Sequence, residues 1–281
     1  MSSRIQLNWF DEKFTERAMA IIEGRREPAA PRDAATVVIV REDAGAAEIL
    51  MMKRPGTMKF AAGAYVFPGG RVDDADSDPR IGWHGTSPEE FGDKLGASPE
   101  AARALVVAAV RETYEESGIL LAGTSDGEAV IPSGPDWDAD CLAVRAGERS
   151  FADLLAARGL VILADRIVPW ARWITPVVEP RRYDTRFFAA IVPPGQAVDG
   201  HLAEADKIAW TVPADALAAA KAGEIMLLPP TIATLSEFAA VAGDTAGFLR
   251  EPREITPVQP RILAENGQVW LEVPEGVAYP T

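Results

Sequence analysis

The chain has 281 residues, 48% hydrophobic and 25% charged, which is the balance of an ordinary soluble globular protein long enough for one large or two small domains. Its net charge of −14 argues against long-range attraction to nucleic acid or an anionic membrane, although a local basic pocket can still bind phosphate. One cysteine excludes an internal disulfide framework, and two histidines with that cysteine cannot build a standard zinc cage, so any metal is expected on oxygen ligands.

In chain order, residues 4–24 place Phe10, Phe14, Ala18, Ile21 and Ile22 at helical spacing ahead of Gly24, which predicts a docking helix in an N-terminal extension covering 1–33. Ala35 to Val40 reads as a buried strand, and 48–53 returns as a second one after an acidic, glycine-containing turn. Residues 73–103 form an insertion rich in Asp, Gly and Pro that also carries Trp83, His84 and Phe91, so a short ordered cap with one helix over 88–95 is expected there, His84 on its surface. Ile119 to Ala122 predicts a strand, 123–137 a loop, and 138–146 and 150–158 two helices. Two strands, 171–175 and 185–192, flank a turn holding Arg181 and Arg182, with Arg186 just beyond. Helices are expected over 213–222 and from 227 to about 242, and a hairpin turns at Asn266-Gly267 within a C-terminal extension, 250–281. Nothing repetitive or linker-like divides the chain, so 1–281 reads as one elaborated domain. No apolar run approaches the roughly 18 residues of a membrane-spanning helix. The beginning lacks a signal-peptide core and the end, Ala-Tyr-Pro-Thr, is not a peroxisomal address, so a cytoplasmic, bacterial protein is expected.

The stretch with chemical content is 110–119, Val-Arg-Glu-Thr-Tyr-Glu-Glu-Ser-Gly-Ile. It ends an Ala-, Leu- and Val-rich helix beginning at Pro99 and stopped by Gly118. At 100° per residue, Glu112, Glu115 and Glu116 share one side of that helix, with Val106, Val107, Val110 and Tyr114 roughly opposite. Acids at a helix C-terminus oppose the macrodipole, an arrangement that invites a compensating cation, and hard divalent ions take carboxylate and phosphate oxygens. Upstream, Phe67-Pro68-Gly69-Gly70 ends an apolar segment in a turn where backbone can approach a ligand closely.

Taken together, these two segments resemble the signature of the Nudix hydrolases. The second half matches at every fixed position except Thr113, which stands where a hydrophobic residue is usual. In the first half, the position six after Gly70 is Asp76 and not Glu, and Arg111 follows 27 residues later than the pattern expects; the role of the first Glu is therefore assigned to no residue. An interruption at this point is similar to the peroxisomal-type coenzyme A diphosphatase branch, and Leu50, Arg54, Gly63 and Phe67 to Gly70 fall at the spacing of its coenzyme A signature, with Lys59 in place of a second Arg.

The resemblance implies an α/β fold, the Nudix α/β/α sandwich with a mixed sheet, elaborated by the inserted cap and the terminal extensions. It implies Mg²⁺ or Mn²⁺ held by Glu112, Glu115 and Glu116 with help from the Gly69 carbonyl, and Arg111 orienting Glu112, which also serves as general base. It places an acidic metal-site residue near Glu204. Arg54, Lys59, Gly70, Arg182 and Arg186 are the candidate substrate contacts, the last two as a phosphate clamp. The partner expected is a small nucleotide, with no nucleic acid and no membrane, and a homodimer by family habit. Coenzyme A or its acyl esters is the leading substrate; ADP-ribose or a dinucleotide, and a catalytically silent nucleotide-binding regulator, are the alternatives.

Overall fold

The computed structural model describes residues 3–6, 12–43, 45–56, 62–198, 207–241, 243–265 and 268–273. Strand β1 (Ser3–Gln6) precedes helix α1 (Glu12–Ile22), so the N-terminal extension is not purely helical as expected. β2 (Arg32–Asp43) and β3 (Ala46–Lys53) form the expected antiparallel hairpin, closed through Gly45 at φ 81°. β4 (Ala64–Val66) and β5 (Gly69–Arg71) follow. The insertion contributes β6 (Gly82–His84) and α2 (Pro88–Leu95), and α3 (Pro99–Ser117) is the carboxylate helix. Next come β7 (Ala122–Gly123), α4 (Pro135–Arg145), α5 (Phe151–Arg158) and β8 (Val161–Leu163). β9 (Val168–Ile174), β10 (Tyr183–Ile191) and β11 (Lys207–Thr211) lead to α6 (Pro213–Lys221) and β12 (Met226–Leu227). The chain closes with α7 (Pro229–Ala239), α8 (Thr245–Arg250), β13 (Pro257–Val258), β14 (Arg261–Glu265) and β15 (Gln268–Val273).

The main sheet runs β12-β4-β3-β2-β10-β9-β13, with β5 added to β2 and β11 to β3. It is mixed: β2 and β10 are parallel at its centre, while β2 with β3 and β10 with β9 are antiparallel. β2 is buried on both faces over Val37 to Val40, which is why those four residues are a continuous apolar run without alternation. Val37 and Ile39 pack with α3, α2 and Phe188 on one face; Val38 and Val40 pack with Trp170, Phe187 and the α6–α7 layer on the other. The result is the expected three-layer α/β architecture. Two small sheets complete it, β6-β8-β7 and β1-β15-β14; the second ties the two ends of the chain together, Ser3 opposite Val273.

Local chemistry explains the boundaries near the site. Ser87 and Glu90 form a capping box at the start of α2; Ser98 caps α3 by accepting the Ala101 N–H, with Pro99 at the first helical position. α3 ends where Gly118 takes φ 75°. The insertion is ordered and carries the expected helix: Phe91 and Leu95 of α2 are fully buried, and Phe91 meets Phe188 of β10 at 6.4 Å between ring centroids. The strand expected over 119–122 shrinks to β7, because the Gln196 side chain takes both the N–H and the C=O of Leu120 at 2.9 Å and displaces a strand ladder there. Helix α4 starts earlier than expected, with Pro135 at its first turn, and α7 stops at Ala239. Among the described residues no helix is long and apolar enough to cross a membrane.

Candidate active site

The carboxylates stand where α3 crosses β5. Gly69 donates its N–H to Glu116 Oε2 at 2.8 Å, and Arg71 accepts from Arg111 Nη2 at 3.0 Å. Between them, Gly70 lies directly under the Glu112 carboxylate, so close that a Cβ there would overlap it. Thus β5 steps down α3 from Glu116 to Glu112 to Arg111. The expectation of a glycine turn needs correcting in its physical reason: Gly69 and Gly70 are strand residues paired with Thr36 and Ala35, and neither is among the positive-φ glycines. They are glycines because β2 and Glu112 leave no room for a side chain.

The three glutamates do share a side of α3, but the helix is not simply amphipathic. Val106, Val107, Val110 and Tyr114 are buried as expected, and Ala108, Ala109 and Thr113 are buried too, since α2, α4 and the sheet enclose the helix. Thr113, the departure from the usual hydrophobic residue, satisfies its hydroxyl on the Ala109 carbonyl at 2.8 Å, so it sits in the core without an orphaned polar atom.

Asp76 is the residue that sequence reasoning left unassigned. It is 1% exposed and holds Arg111 in a two-pronged ion pair, Nε to Oδ1 at 2.8 Å and Nη2 to Oδ2 at 3.0 Å. A short 3₁₀ turn, Asp74–Ser77, presents it, and the Asp73 N–H fixes Oδ2 at 2.8 Å. The remaining guanidinium nitrogen, Nη1, donates to Glu112 at 2.8 Å and Glu115 at 3.2 Å. The chain therefore loops out after Asp76, and the six-residue spacing from Gly70 is the signal that could have assigned this acid.

Burial works against the charge on Arg111, but its hydrogen bonds to Asp76 and the charges of Glu112, Asp76 and Glu115 outweigh it and hold its pKa above the ordinary value. Burial pushes Glu112 up to about 7, with Arg111 offsetting only part of the effect, and raises Glu115 in the same way. Three acids, Asp76, Glu112 and Glu115, thus converge on one arginine, and Glu116 stands beside them on the Gly69 amide.

A divalent cation fits that donor set. The groups are all hard oxygens, and the local negative charge exceeds what Arg111 balances. Among the described residues no three acids close on a common point, because Arg111 Nη1 lies between Glu112 and Glu115 while Glu116 is turned to the Gly69 amide. Gly69 also joins the cluster through its N–H, donated to Glu116.

The other candidates are placed less centrally. Arg54 has a buried Nε without a hydrogen-bond partner among the described residues. Arg182 is buried and spent on the backbone, donating to the Thr175 and Ala29 carbonyls at 3.0 and 2.7 Å, which corrects its expected part in a phosphate clamp. Arg186 pairs in register with Ala35, the partner of Gly70, and so lies two strands from Gly70, about 10 Å at ordinary strand spacing. Its guanidinium is already held by Asp33 at 2.6 Å and Asp184 at 3.0 Å, so it is an interior ion pair and not an open clamp. Lys59, Glu204 and His201 lie outside the described residues. His84 ends strand β6 of the insertion, its Nδ1 3.1 Å from the Ser125 carbonyl oxygen.

Comparison with known proteins agrees with this geometry. The profile of the NUDT19 Nudix domain matches residues 29–238. Putative nudix hydrolase 7 of Caenorhabditis elegans is 28% identical over 239 residues, 84% of this chain and 70% of that protein. The acyl-coenzyme A diphosphatases NUDT19 of Xenopus laevis and Homo sapiens are 29% and 28% identical, over 67% and 69% of this chain. The matches span 59% and 62% of those two proteins, less than two thirds of their length. The crystal structure of a NUDIX hydrolase from Alicyclobacillus acidocaldarius superposes with a TM-score of 0.67 at 30% identity, covering 82% of this chain and 99% of that one.

Proposed function

The chain belongs to the Nudix hydrolases, in the family of the NUDT19 Nudix domain, and from that premise we propose that it hydrolyses the pyrophosphate bond of coenzyme A or an acyl-coenzyme A. The products are adenosine 3′,5′-bisphosphate and phosphopantetheine or its acyl ester. The observation that carries the diphosphatase reading is the Asp76–Arg111–Glu112/Glu115 network beside the Gly69–Glu116 bond, which brings the signature's arginine and glutamates together with Asp76 although 34 residues lie between Asp76 and Arg111. The assembled network also speaks against a silent regulatory module. The substrate class is supported by the coenzyme A-type spacing around Arg54, by the unsatisfied Arg54 Nε, and by the vertebrate relatives' activity.

Glu112, Glu115 and Glu116 would hold Mg²⁺ or Mn²⁺, with Gly69 and Glu204 as further oxygen donors. When bound, the ion neutralises the phosphate charge that repels a nucleophile and eases ionisation of water. Arg111 fixes the Glu112 and Glu115 carboxylates from one side, and Asp76 fixes Arg111. Glu112, held in place by Arg111 at 2.8 Å, would accept a proton from the attacking water. Arg54, and Lys59 on the adjoining segment, bind the outer phosphates. The setting proposed is cytoplasmic, in keeping with a sequence that has one cysteine, and the assembly a homodimer, checked by cell fractionation and light scattering.

The test is a panel of coenzyme A, acetyl-coenzyme A, a long-chain acyl ester, ADP-ribose and diadenosine polyphosphates, each with Mg²⁺, Mn²⁺ or EDTA. Turnover of the coenzyme A compounds to adenosine 3′,5′-bisphosphate, reversed by EDTA, is expected. Turnover confined to ADP-ribose or the dinucleotides overturns the substrate assignment, and binding without turnover overturns the enzymatic one.

A further inference from the structure

The C-terminal turn of α3 has a chemical problem that its own residues do not solve. It carries Glu115 and Glu116 on backbone whose last carbonyls lack helical partners, at the negative end of the helix dipole. The preceding carbonyls are met within the helix end: Thr113 accepts from Ser117 Oγ at 2.6 Å, and Tyr114 from the Gly118 N–H at 2.9 Å. The Glu115 carbonyl is met from α4, which lies outside the signature altogether. Arg145, in the last turn of α4, donates Nε to it at 2.9 Å and Nη2 to the same oxygen. Two further contacts seat α4 on this turn without touching Glu115: Tyr114 Oη to the Trp137 carbonyl at 3.2 Å and Cys141 Sγ to the Tyr114 carbonyl at 3.3 Å.

We propose that Arg145 is a positioning residue for the cation-binding carboxylates, acting through the Glu115 carbonyl to hold the backbone from which Glu115 and Glu116 project. This inference rests on the diphosphatase reading of the cluster. A forked donor on one carbonyl restrains both the position and the orientation of that peptide, and a permanent cation opposes the fraying that the dipole and the clustered acids favour. The Tyr114 and Cys141 contacts anchor α4 but bring no charge, which separates their role from that of Arg145.

The experiment compares Arg145→Ala and Arg145→Lys with Tyr114→Phe, which loosens α4 while leaving the Glu115 carbonyl bonded. Mn²⁺ affinity is read by calorimetry, amide exchange of 116–119 in metal-free protein by mass spectrometry, and kcat and KM with the best diphosphate of the panel. Arg145→Ala is expected to weaken Mn²⁺ binding and lower kcat by about 10- to 100-fold each, the range of ligand-supporting residues. KM should move less than twofold and exchange of 116–119 should quicken. Arg145→Lys, which keeps the charge and one donor, is expected to recover part of each, and it carries the test if the alanine variant does not fold. Tyr114→Phe should lower Tm with Mn²⁺ affinity unchanged. Unchanged Mn²⁺ affinity in both Arg145 variants, or an equal loss in Tyr114→Phe, overturns the proposal. Absence of diphosphate turnover in the parent would sink the function while leaving the calorimetric and exchange comparison intact.

Discussion

Asp76 and Arg111 are joined by two hydrogen bonds of 2.8 and 3.0 Å, and both side chains are buried, at 1% and 8% exposure. The bond connects the strand side of the site to the helix side across the insertion. Because Arg111 spends its remaining nitrogen on Glu112 and Glu115, the position of Asp76 determines where two carboxylates stand.

Removing this acid strands a buried guanidinium. Asp76→Ala is expected to cost about 3–5 kcal/mol of unfolding free energy, as for other broken buried pairs, measured by urea denaturation. Asp76→Asn keeps an acceptor and should lose less stability while still lowering kcat. A wild-type kcat in Asp76→Asn would show that Arg111 needs no charged partner.

Glu116→Gln separates fold from chemistry. The amide oxygen can still accept the Gly69 N–H, so Tm should stay within a few degrees of the parent. The lost charge is expected to reduce kcat by about 10²- to 10³-fold, the usual effect of deleting one electrostatic contributor. Paired thermal melts and initial rates read both halves of this expectation.

The two glycines of β5 should fail differently. At Gly69 a methyl group would meet the Ala35 carbonyl oxygen at 2.5 Å, a backbone atom that cannot swing away. Gly69→Ala should therefore destabilise by about 1–3 kcal/mol, as overpacking does. At Gly70 the obstacle is the end of the Glu112 side chain, which can rotate. Gly70→Ala should melt near the parent yet lose activity because Glu112 is displaced. Equal melting temperatures for the two variants would contradict this contrast.

Glu112 makes the metal-free protein sensitive to pH. Its pKa rises from 4.5 unfolded to about 7 folded, so its neutral form is favoured by the fold and its contribution is fully present below pH 4.5. Stability is lost as pH climbs through that window, by up to about 3 kcal/mol, and is flat above it. In EDTA, Glu112→Gln should be more stable than the parent at pH 8 and about equal at pH 4.5, although inactive. Urea midpoints at the two pH values decide it; a parallel loss in parent and variant would remove Glu112 as the cause.

Much of the site was legible before any coordinates. The carboxylate helix, its glycine stop, the α2 helix, the central hairpin and the terminal hairpin are local features, set by periodicity, caps and turn residues within a few positions of one another. Strands β4, β5, β6 and β8 were missed because each is three residues long, too short for a period to register, and exists only through its partners.

By itself the sequence determined which residues carry charge, that Glu112, Glu115 and Glu116 share a helical side, and that glycines precede them. Tertiary structure alone decided what those charges meet. Arg182 and Arg186 look identical to substrate arginines in a linear reading, and only the sheet shows them committed to backbone carbonyls and to Asp33 and Asp184. Asp76 and Arg145 reach the same helix from opposite directions in the chain, and no local pattern records that approach. The physical reason is that an ion pair or a capped carbonyl depends on distance in space, whereas propensity and periodicity act over a few neighbouring residues.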